Sequence, residues 1–414
     1  MNEPRNLSID GDRLWESIMD IAEIGPTEKG GSRRLALTDL DREARDLFVD
    51  WCEAAGCAVS IDQMGNIFAR RAGRDDSLPP VVTGSHLDTQ PTGGKFDGVY
   101  GVLAGLEVIR SLNDLDYETE HPIEVVVWTN EEGSRFAPAM VSSGVFGGQF
   151  SLEHGLSRAD ADGLTIGQEL KRIGYAGELP VGGRELHAYV EAHIEQGPIL
   201  EDEEISIGVV TGAQGQRWYE ITLTGQESHA GSTPMERRKD ALVGAARVVE
   251  LVYQTGIGNA PDGRSTVGMI ESYPNSRNVI PGQVFMTAEF RHPDDDILRD
   301  MDARLRAGLQ DIVDDIGLEC SFEEIFYIEP IVFNDRCVAA VRNAAESRDL
   351  SARDIISGAG HDACNVAAVA PTSMIFIPCV DGISHNEIED AKPEWVSAGG
   401  QVLLGAMLEL AGGD

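Results

Sequence analysis

Val-Val-Thr-Gly-Ser-His-Leu-Asp-Thr-Gln-Pro-Thr-Gly-Gly-Lys-Phe-Asp, residues 81–97, is the stretch from which the rest of the chain is best read. A short β-branched run ends in His86, and Asp88 follows two places on. A loop with Gly93 and Gly94 then leads to Asp97. Side chains at i and i+2 of a strand share a face. An extended run continuing through Asp88 therefore puts His86 and Asp88 on one side. The Asp88 carboxylate is then expected to take the second N–H of the imidazole, a contact that fixes the tautomer and aim of a metal-binding histidine. Residues 99–109 follow with Val, Leu, Ala and Ile at helical spacing. On its own, His-x-Asp fits an exposed loop of solvated charges equally well, so the rest of the chain has to decide.

With 414 residues, 42% of them hydrophobic and 25% charged, the chain has ordinary globular composition and enough length for two domains. The charge balance is unusual. Lys+Arg is 33 against Asp+Glu 70, a net charge of -37, and the only lysines are Lys29, Lys95, Lys171, Lys239 and Lys392. Such a surface repels itself unless salt screens it. Acidic, arginine-over-lysine composition of this kind looks like that of proteins from salt-loving microbes. It also argues against nucleic acid and anionic membranes as partners. The six cysteines (Cys52, Cys57, Cys320, Cys337, Cys364 and Cys379) form no C-x-x-C pair and are expected to be reduced, mostly buried residues of a cytoplasmic protein. No run has membrane-spanning length or the pattern of a secretion signal. The polar start, residues 1–10, reads as a frayed tail.

Helical spacing recurs at Leu14, Ile18, Ile21 and Ile24, and Gly25-Pro26 stops it. Thr38 caps a second helix. Val59 and Ile61 pair with Ile67 and Phe68 across Gly65-Asn66. Residues 123–128, Ile-Glu-Val-Val-Val-Trp, form a buried strand that delivers Glu131 and Glu132 at its C-terminal end. Ligands bind at that edge of open α/β sheets. In residues 188–197, alternation sets Tyr189, Glu191, His193 and Glu195 on one strand face. Between residues 212 and 330 the order becomes β-α-β-β-α-β, with Leu242, Ala245, Val248, Val249 and Val252 on the inner face of the first helix. Helix–strand alternation resumes afterwards. The expected architecture is an α/β domain of residues 1–211 and 331–414, carrying an inserted ferredoxin-like α+β domain of residues 212–330.

The strand ends of the larger domain together offer His86, Asp88, Asp97, Glu131, Glu132, His193 and His385. Three imidazoles and several carboxylates without cysteine suit Zn²⁺, Mn²⁺, Co²⁺ or Ni²⁺. Two cations bridged by one carboxylate would account for the surplus of acids.

Seven motifs in order carry a resemblance. They are His-x-Asp at 86–88, Gly-Gly-Lys-Phe-Asp-Gly at 93–98 and Asn-Glu-Glu-Gly-Ser-Arg-Phe at 130–136. His-Ile-Glu-Gln-Gly-Pro at 193–198 and Ser-His-Ala-Gly-Ser-Thr-Pro-Met at 228–235 follow. Gly-Ala-Gly-His-Asp-Ala at 358–363 and Ile-Ser-His-Asn-Glu at 383–387 complete the set. Nearly the whole chain resembles the binuclear metallo-amidohydrolases of the M20 metallopeptidase clan. Within it, the chain is most similar to the branch of N-carbamoyl-L-amino-acid hydrolases, allantoate amidohydrolases and β-ureidopropionases. Peptidases of the clan usually have a carboxylate where this chain has His193, and their bridging aspartate lies farther from the first histidine. Both departures favour the ureido branch.

The resemblance implies a metallopeptidase-like catalytic domain with a mixed central sheet, and a lid and dimerisation role for the inserted domain. It implies two divalent metal ions, zinc or manganese with cobalt or nickel possible. Asp97 would bridge them, His86 and His193 would complete one site, and Glu132 and His385 the other. Glu131 would be the general base, with Asp88 orienting His86. His229 would reach a partner subunit's site and stabilise the oxyanion, which implies a homodimer. Gln196, Asn278, Arg291 and Gly360 would bind a small ureido carboxylate, with Arg277, Arg217 and His361 as weaker candidates. His121, His154, His187 and His292 fall in no motif. The expected reaction is hydrolysis of an N-carbamoyl-L-amino acid to amino acid, ammonia and CO2. Allantoate or N-carbamoyl-β-alanine are the related alternatives. An aminoacylase or dipeptidase, or a non-catalytic binding homologue, are the more distant ones.

Overall fold

The computed structural model describes residues 7–412. It divides into two compact units, one made of the residues up to Thr211 together with those from Phe333 on, the other Gly212–Val332. Six strands come first: β1 (Ala58–Ile61), β2 (Ile67–Arg71), β3 (Val81–His86), β4 (Ile123–Trp128), β5 (Ala188–Ile194) and β6 (Ile207–Ala213). Six more are β7 (Gly215–Thr224), β8 (Ser228–His229), β9 (Arg264–Tyr273), β10 (Val279–Ile280), β11 (Gln283–His292) and β12 (Glu319–Ile328). The last are β13 (Ile331–Val332), β14 (Ala352–Ser357) and β15 (Thr372–Ile377).

The first unit is built on a mixed sheet in the order β1-β2-β4-β3-β5-β15-β6, with β14 beside β6. Strands β4, β3, β5 and β15 run parallel, while β1, β2 and β6 pair antiparallel. Every residue of β3, β4, β5 and β15 is buried, as expected of parallel strands covered on both faces. Helices Gly11–Ala22, Val99–Asp114, Asp335–Glu346 and Pro393–Ala411 pack on one another and on these strands. Local chemistry fixes their starts. The Asp10 side chain accepts from Arg13 N, that of Thr38 accepts from Asp41 N at the start of Asp39–Ala54, and Pro393 opens the last helix.

The expected frayed start is corrected in part. Residues 1–6 lie outside the described residues, but Leu7 is buried and its carbonyl accepts from Gln401 Nε2 at 3.1 Å. A leucine reaching the apolar surface beside the last helix anchors the chain ahead of the Asp10 cap.

The second unit has an antiparallel sheet in the order β12-β7-β11-β9. Helices Ala241–Ile257 and Asp295–Ile316 cover one face. Tyr219, Ile221 and Leu223 of β7 and Val284, Met286, Ala288 and Phe290 of β11 alternate inward. They meet Ala245, Val248 and Val252 of one helix and Met301, Leu305 and Leu309 of the other. Leu242 and Val249, expected on the inner face, are 41% and 37% exposed. Ala245, Val248 and Val252 are buried as expected, and Ala241 rather than Leu242 extends their stripe. A small ribbon unforeseen in the sequence, β8 with β10, pairs His229 with Val279. No described helix is long and apolar enough to cross a membrane.

Candidate active site

Strands β3, β4 and β5 run parallel, and the chain carries polar residues at the end of each, His86, Thr129 and Glu195. Strand β3 stops at His86, so Asp88 no longer shares its face. His86 Nδ1 lies 2.8 Å from the main-chain carbonyl oxygen of Asp88. The Asp88 carboxylate instead accepts from Glu131 N and Glu132 N, both at 3.3 Å. The expected carboxylate–imidazole contact is thus corrected. Asp88 holds the ring through its backbone, and its side chain holds the turn after β4.

Asp97 stands at the centre. Its Oδ1 lies 3.2 Å from His193 Nε2 and 3.7 Å from His86 Nε2. Its Oδ2 lies 3.3 Å from His385 Nε2 and accepts from Gln196 Nε2 at 3.0 Å. Glu132 Oε2 lies 3.4 Å from His385 Nε2, and Glu131 Oε2 lies 3.6 Å from His86 Nε2. Gly98, next to Asp97, has φ +68, and a Cβ there would sit 2.4 Å from His86 Nε2. Only glycine lets the helix Val99–Asp114 begin this close to the ring.

Two donor groups therefore exist among the described residues, His86–Asp97–His193 and Asp97–Glu132–His385. A test of whether they fit cations comes from the ring nitrogens. His86 Nδ1 faces Asp88 O, and His193 Nδ1 faces Ile194 O at 2.9 Å. A nitrogen facing a carbonyl carries the proton. Each ring then turns Nε2 toward the Asp97 carboxylate, the geometry that suits a cation between them. Without one, burial opposes a charge on either ring, but the facing carboxylates outweigh it and raise the proton affinity of both, so that a proton takes that position. A third group, Glu191–His193–His361, fits less well. Glu191 already accepts from Ser85 Oγ at 2.7 Å, Tyr189 OH at 3.1 Å and Ala363 N at 3.0 Å.

The same crowding sets the protonation equilibria. Burial pushes the Glu131 carboxyl well up, with Asp362, Glu132 and Asp97 adding to it against His86. Burial and Asp97 raise Glu132 to about 7. Burial opposes ionisation of Asp97, but the imidazoles of His193, His385 and His86 outweigh it and hold its carboxyl well below the usual range. The hydrogen bond that His385 donates to Asp97 lifts the imidazole to about 9.

Gly360 lies in the same unit, where a Cβ would meet Met140 Cε at 2.8 Å. His361 is buried, with Nε2 3.0 Å from Ser357 Oγ and its ring 4.5 Å from that of His193. Glu195, set on the β5 face by alternation, lies past the strand end and caps the next turn through Ile199 N and Leu200 N. Two polar residues beside Asp97 and Glu132 were missed. Gln90 donates from Nε2 to Glu132 Oε2 at 2.5 Å, and Ser384 Oγ donates to Asp97 Oδ2 at 3.2 Å. Their one signal in the sequence is adjacency to the Asp88 and His385 motifs.

Within the second unit, His229 is exposed, and its Nδ1 accepts from Gly231 N at 3.0 Å and Ser232 N at 3.2 Å. That leaves the proton of the neutral ring on Nε2, aimed outward. Asn278 lies beside it, its carbonyl accepting from Ala230 N at 2.9 Å. Arg291 Nη2 lies 3.1 Å from Glu289 Oε2, and Arg217 pairs with Glu324 at 3.1 Å over the Tyr327 ring. Arg217 thus has a local structural explanation. So do the histidines outside the motifs: His121 packs on His187 at 4.0 Å, His154 stacks on Phe150, and His292 Nδ1 accepts from Asp294 N at 2.9 Å.

The model of peptidase family M20/M25/M40 matches residues 82–409, which run from β3 to the last helix and include all the donors above. The chain belongs to that family. An M20 relative from Rhizobium meliloti, called N-carbamoyl-L-amino-acid amidohydrolase, is 52% identical over 98% of both chains. An allantoate amidohydrolase of Bacillus subtilis is 33% identical, covering 99% of this chain and 100% of its own. A crystal structure of an amidase of the hydantoinase/carbamoylase family from Burkholderia multivorans superposes with a TM-score of 0.95 at 67% identity, covering 98% of each chain. These M20 relatives are amidohydrolases acting on C–N bonds, and the match spans whole chains.

Proposed function

We propose that this M20 chain is a two-metal amidohydrolase that removes the carbamoyl group from an N-carbamoyl-L-amino acid. The observation that carries it is the division of Asp97, one carboxylate oxygen toward His86 and His193 and the other toward His385 beside Glu132. The names of the full-length relatives, led by the Rhizobium meliloti N-carbamoyl-L-amino-acid amidohydrolase, support the substrate class.

His86, Asp97 and His193 would hold one divalent cation, and Asp97, Glu132 and His385 the second, zinc or manganese by donor type. Such cations would supply Lewis acidity there, lowering the pKa of a water and polarising the ureido carbonyl. Glu131 takes the proton of the attacking water, and its raised proton affinity suits a base that must hold it. The carbonyl becomes tetrahedral, and His229 donates Nε2–H to the developing oxyanion. Glu131 then returns the proton to the leaving nitrogen as the C–N bond breaks. The carbamic acid left behind then breaks its own C–N bond, so that one ureido group and one water yield the amino acid, ammonia and CO2. Arg291 and Asn278 hold the substrate carboxylate, where a guanidinium offers paired donors. Gln196 and Gly360 complete substrate recognition from the first unit.

The second unit serves as the ferredoxin-like lid and dimerisation domain in this scheme. Its helix Ala241–Ile257 leaves Leu242, Val249, Tyr253 and Ile257 exposed in one stripe, which favours a homodimer. Six unpaired cysteines and the acidic composition favour a reducing, salt-rich cytoplasm.

The test is ammonia release from matched N-carbamoyl-L-amino acids, allantoate, N-carbamoyl-β-alanine, N-acetyl amino acids and dipeptides, with manganese or zinc in high salt. N-carbamoyl-L-amino acids are expected to give the highest kcat/KM. Preference for allantoate would move the chain to the branch of its Bacillus subtilis relative, and exclusive dipeptide cleavage would end the proposal.

A further inference from the structure

Behind the Asp97 loop lies a carboxylate that no motif singled out. Glu389 is 1% exposed and stands four residues beyond His385. Its Oε1 accepts from Phe96 N at 3.0 Å and Asp97 N at 3.1 Å. Its Oε2 accepts from Ser384 Oγ at 2.8 Å, and the same hydroxyl lies 3.2 Å from Asp97 Oδ2. One buried side chain therefore grips the backbone of Asp97 and shares the single hydroxyl proton of Ser384 with its carboxylate, the shorter contact being its own. Gly94 is part of the arrangement, because a Cβ there would lie 2.0 Å from Glu389 Oε1. The loop can fold over the carboxylate only with glycine at that position.

We infer that Glu389 is the positioning residue for Asp97, fixing it so that its two oxygens serve both cation positions at once. This rests on the two-cation reading above. The geometry explains the need. Asp97 follows a loop with two glycines and has no strand to aim it, unlike His86 and His193. A shared ligand has to satisfy two centres, so a rotation tolerable at a single site would weaken both. Glu389 ties that loop to the segment carrying His385 and thus couples the placement of a shared ligand to that of a second-site ligand. Partners behind the ligands of metal sites typically change affinity by about 10–100-fold when removed.

The variants grade the contact. In Glu389→Gln the amide oxygen still accepts from Phe96 N and Asp97 N, but the acceptor for Ser384 becomes a donor. Glu389→Ala removes everything, and Ser384→Ala removes only the link to the Asp97 carboxylate. The full chain, freed of metal, is titrated with cobalt(II) alone, reading stoichiometry and affinity by calorimetry and the visible absorption of the bound ion. Wild type is expected to take up two equivalents. Affinity is expected to fall about tenfold in Glu389→Gln and about 100-fold in Glu389→Ala, with an altered cobalt spectrum, and with little change in the thermal midpoint of metal-free Glu389→Gln. Should Glu389→Ala fail to fold, Glu389→Gln and Ser384→Ala carry the test. Two equivalents with wild-type affinity and spectrum in the folded variants would overturn the role of Glu389 and leave the two-cation reading standing. Fewer than two equivalents in wild type would sink that reading and this inference with it.

Discussion

His86 Nδ1 meets the backbone carbonyl of Asp88, at 2.8 Å, while the Asp88 carboxylate is occupied by Glu131 N and Glu132 N. The ring is held by a group that no substitution at 88 removes, and the side chain acts on the turn that carries Glu131, the proposed base. Asp88→Asn is therefore expected to keep cation affinity within a few-fold and lower kcat about 10–100-fold. Calorimetry beside steady-state kinetics checks this. A loss of cation binding as large as the loss of turnover would show that the carboxylate works through His86 after all.

Glu131 is buried and not counted among the cation donors, so its removal separates binding from chemistry. Glu131→Gln preserves size and is expected to bind cations as wild type does while kcat falls by about 10²–10⁴-fold. Wild-type turnover in that variant would remove Glu131 from the role of base.

The His385 ring gives a pH signature. Asp97 raises its pKa to about 9 in the cation-free protein, so at a pH of about 7 it carries a proton that an entering cation must expel. The sign follows directly: affinity rises with pH until the ring is neutral, by up to about tenfold per unit from this proton, and then levels off. Calorimetry near neutral pH in two buffers of different ionisation enthalpy is expected to report proton release, declining above a pH of about 9. Identical heats in both buffers near neutrality would contradict it.

Arg291 is assigned to the substrate carboxylate. Arg291→Ala is expected to raise KM for N-carbamoyl amino acids about 10–100-fold, the range for a lost hydrogen bond to a charged group, with Arg291→Lys intermediate. The corresponding carboxamide substrate is expected to lose far less. Equal losses for acid and amide would place the anchor elsewhere.

The strand that delivers His86 carries its own test. Gly84 has φ +146, and a Cβ there would lie 2.0 Å from Val126 O on the neighbouring strand. Gly84→Ala forces β3 from β4, and a loss of about 3 kcal/mol or more is expected, combining overpacking and backbone strain. Denaturant unfolding measures it, and a change below about 0.5 kcal/mol would mean the strands part easily.

By itself the sequence determined what is periodic or local. The runs at 81–86, 123–128 and 188–194 read as strands, Thr38 marked a helix start, and the order of the longer elements in residues 212–330 was legible because alternation and helical spacing are properties of neighbours along the chain. The donors could be listed for the same reason, since each sits in a short motif of the sequence. Tertiary structure alone decided which atoms of those donors meet. The split of Asp97 between two imidazole groups, the turn of Asp88 away from the His86 ring and the grip of Glu389 on the Asp97 loop join residues up to 293 positions apart. Spacing cannot encode such contacts, because they depend on where β3 ends and how loops from separate strands fold back. The same holds for Leu7 and Leu242, equally apolar, where burial of the first and exposure of the second depend on which neighbours the fold supplies.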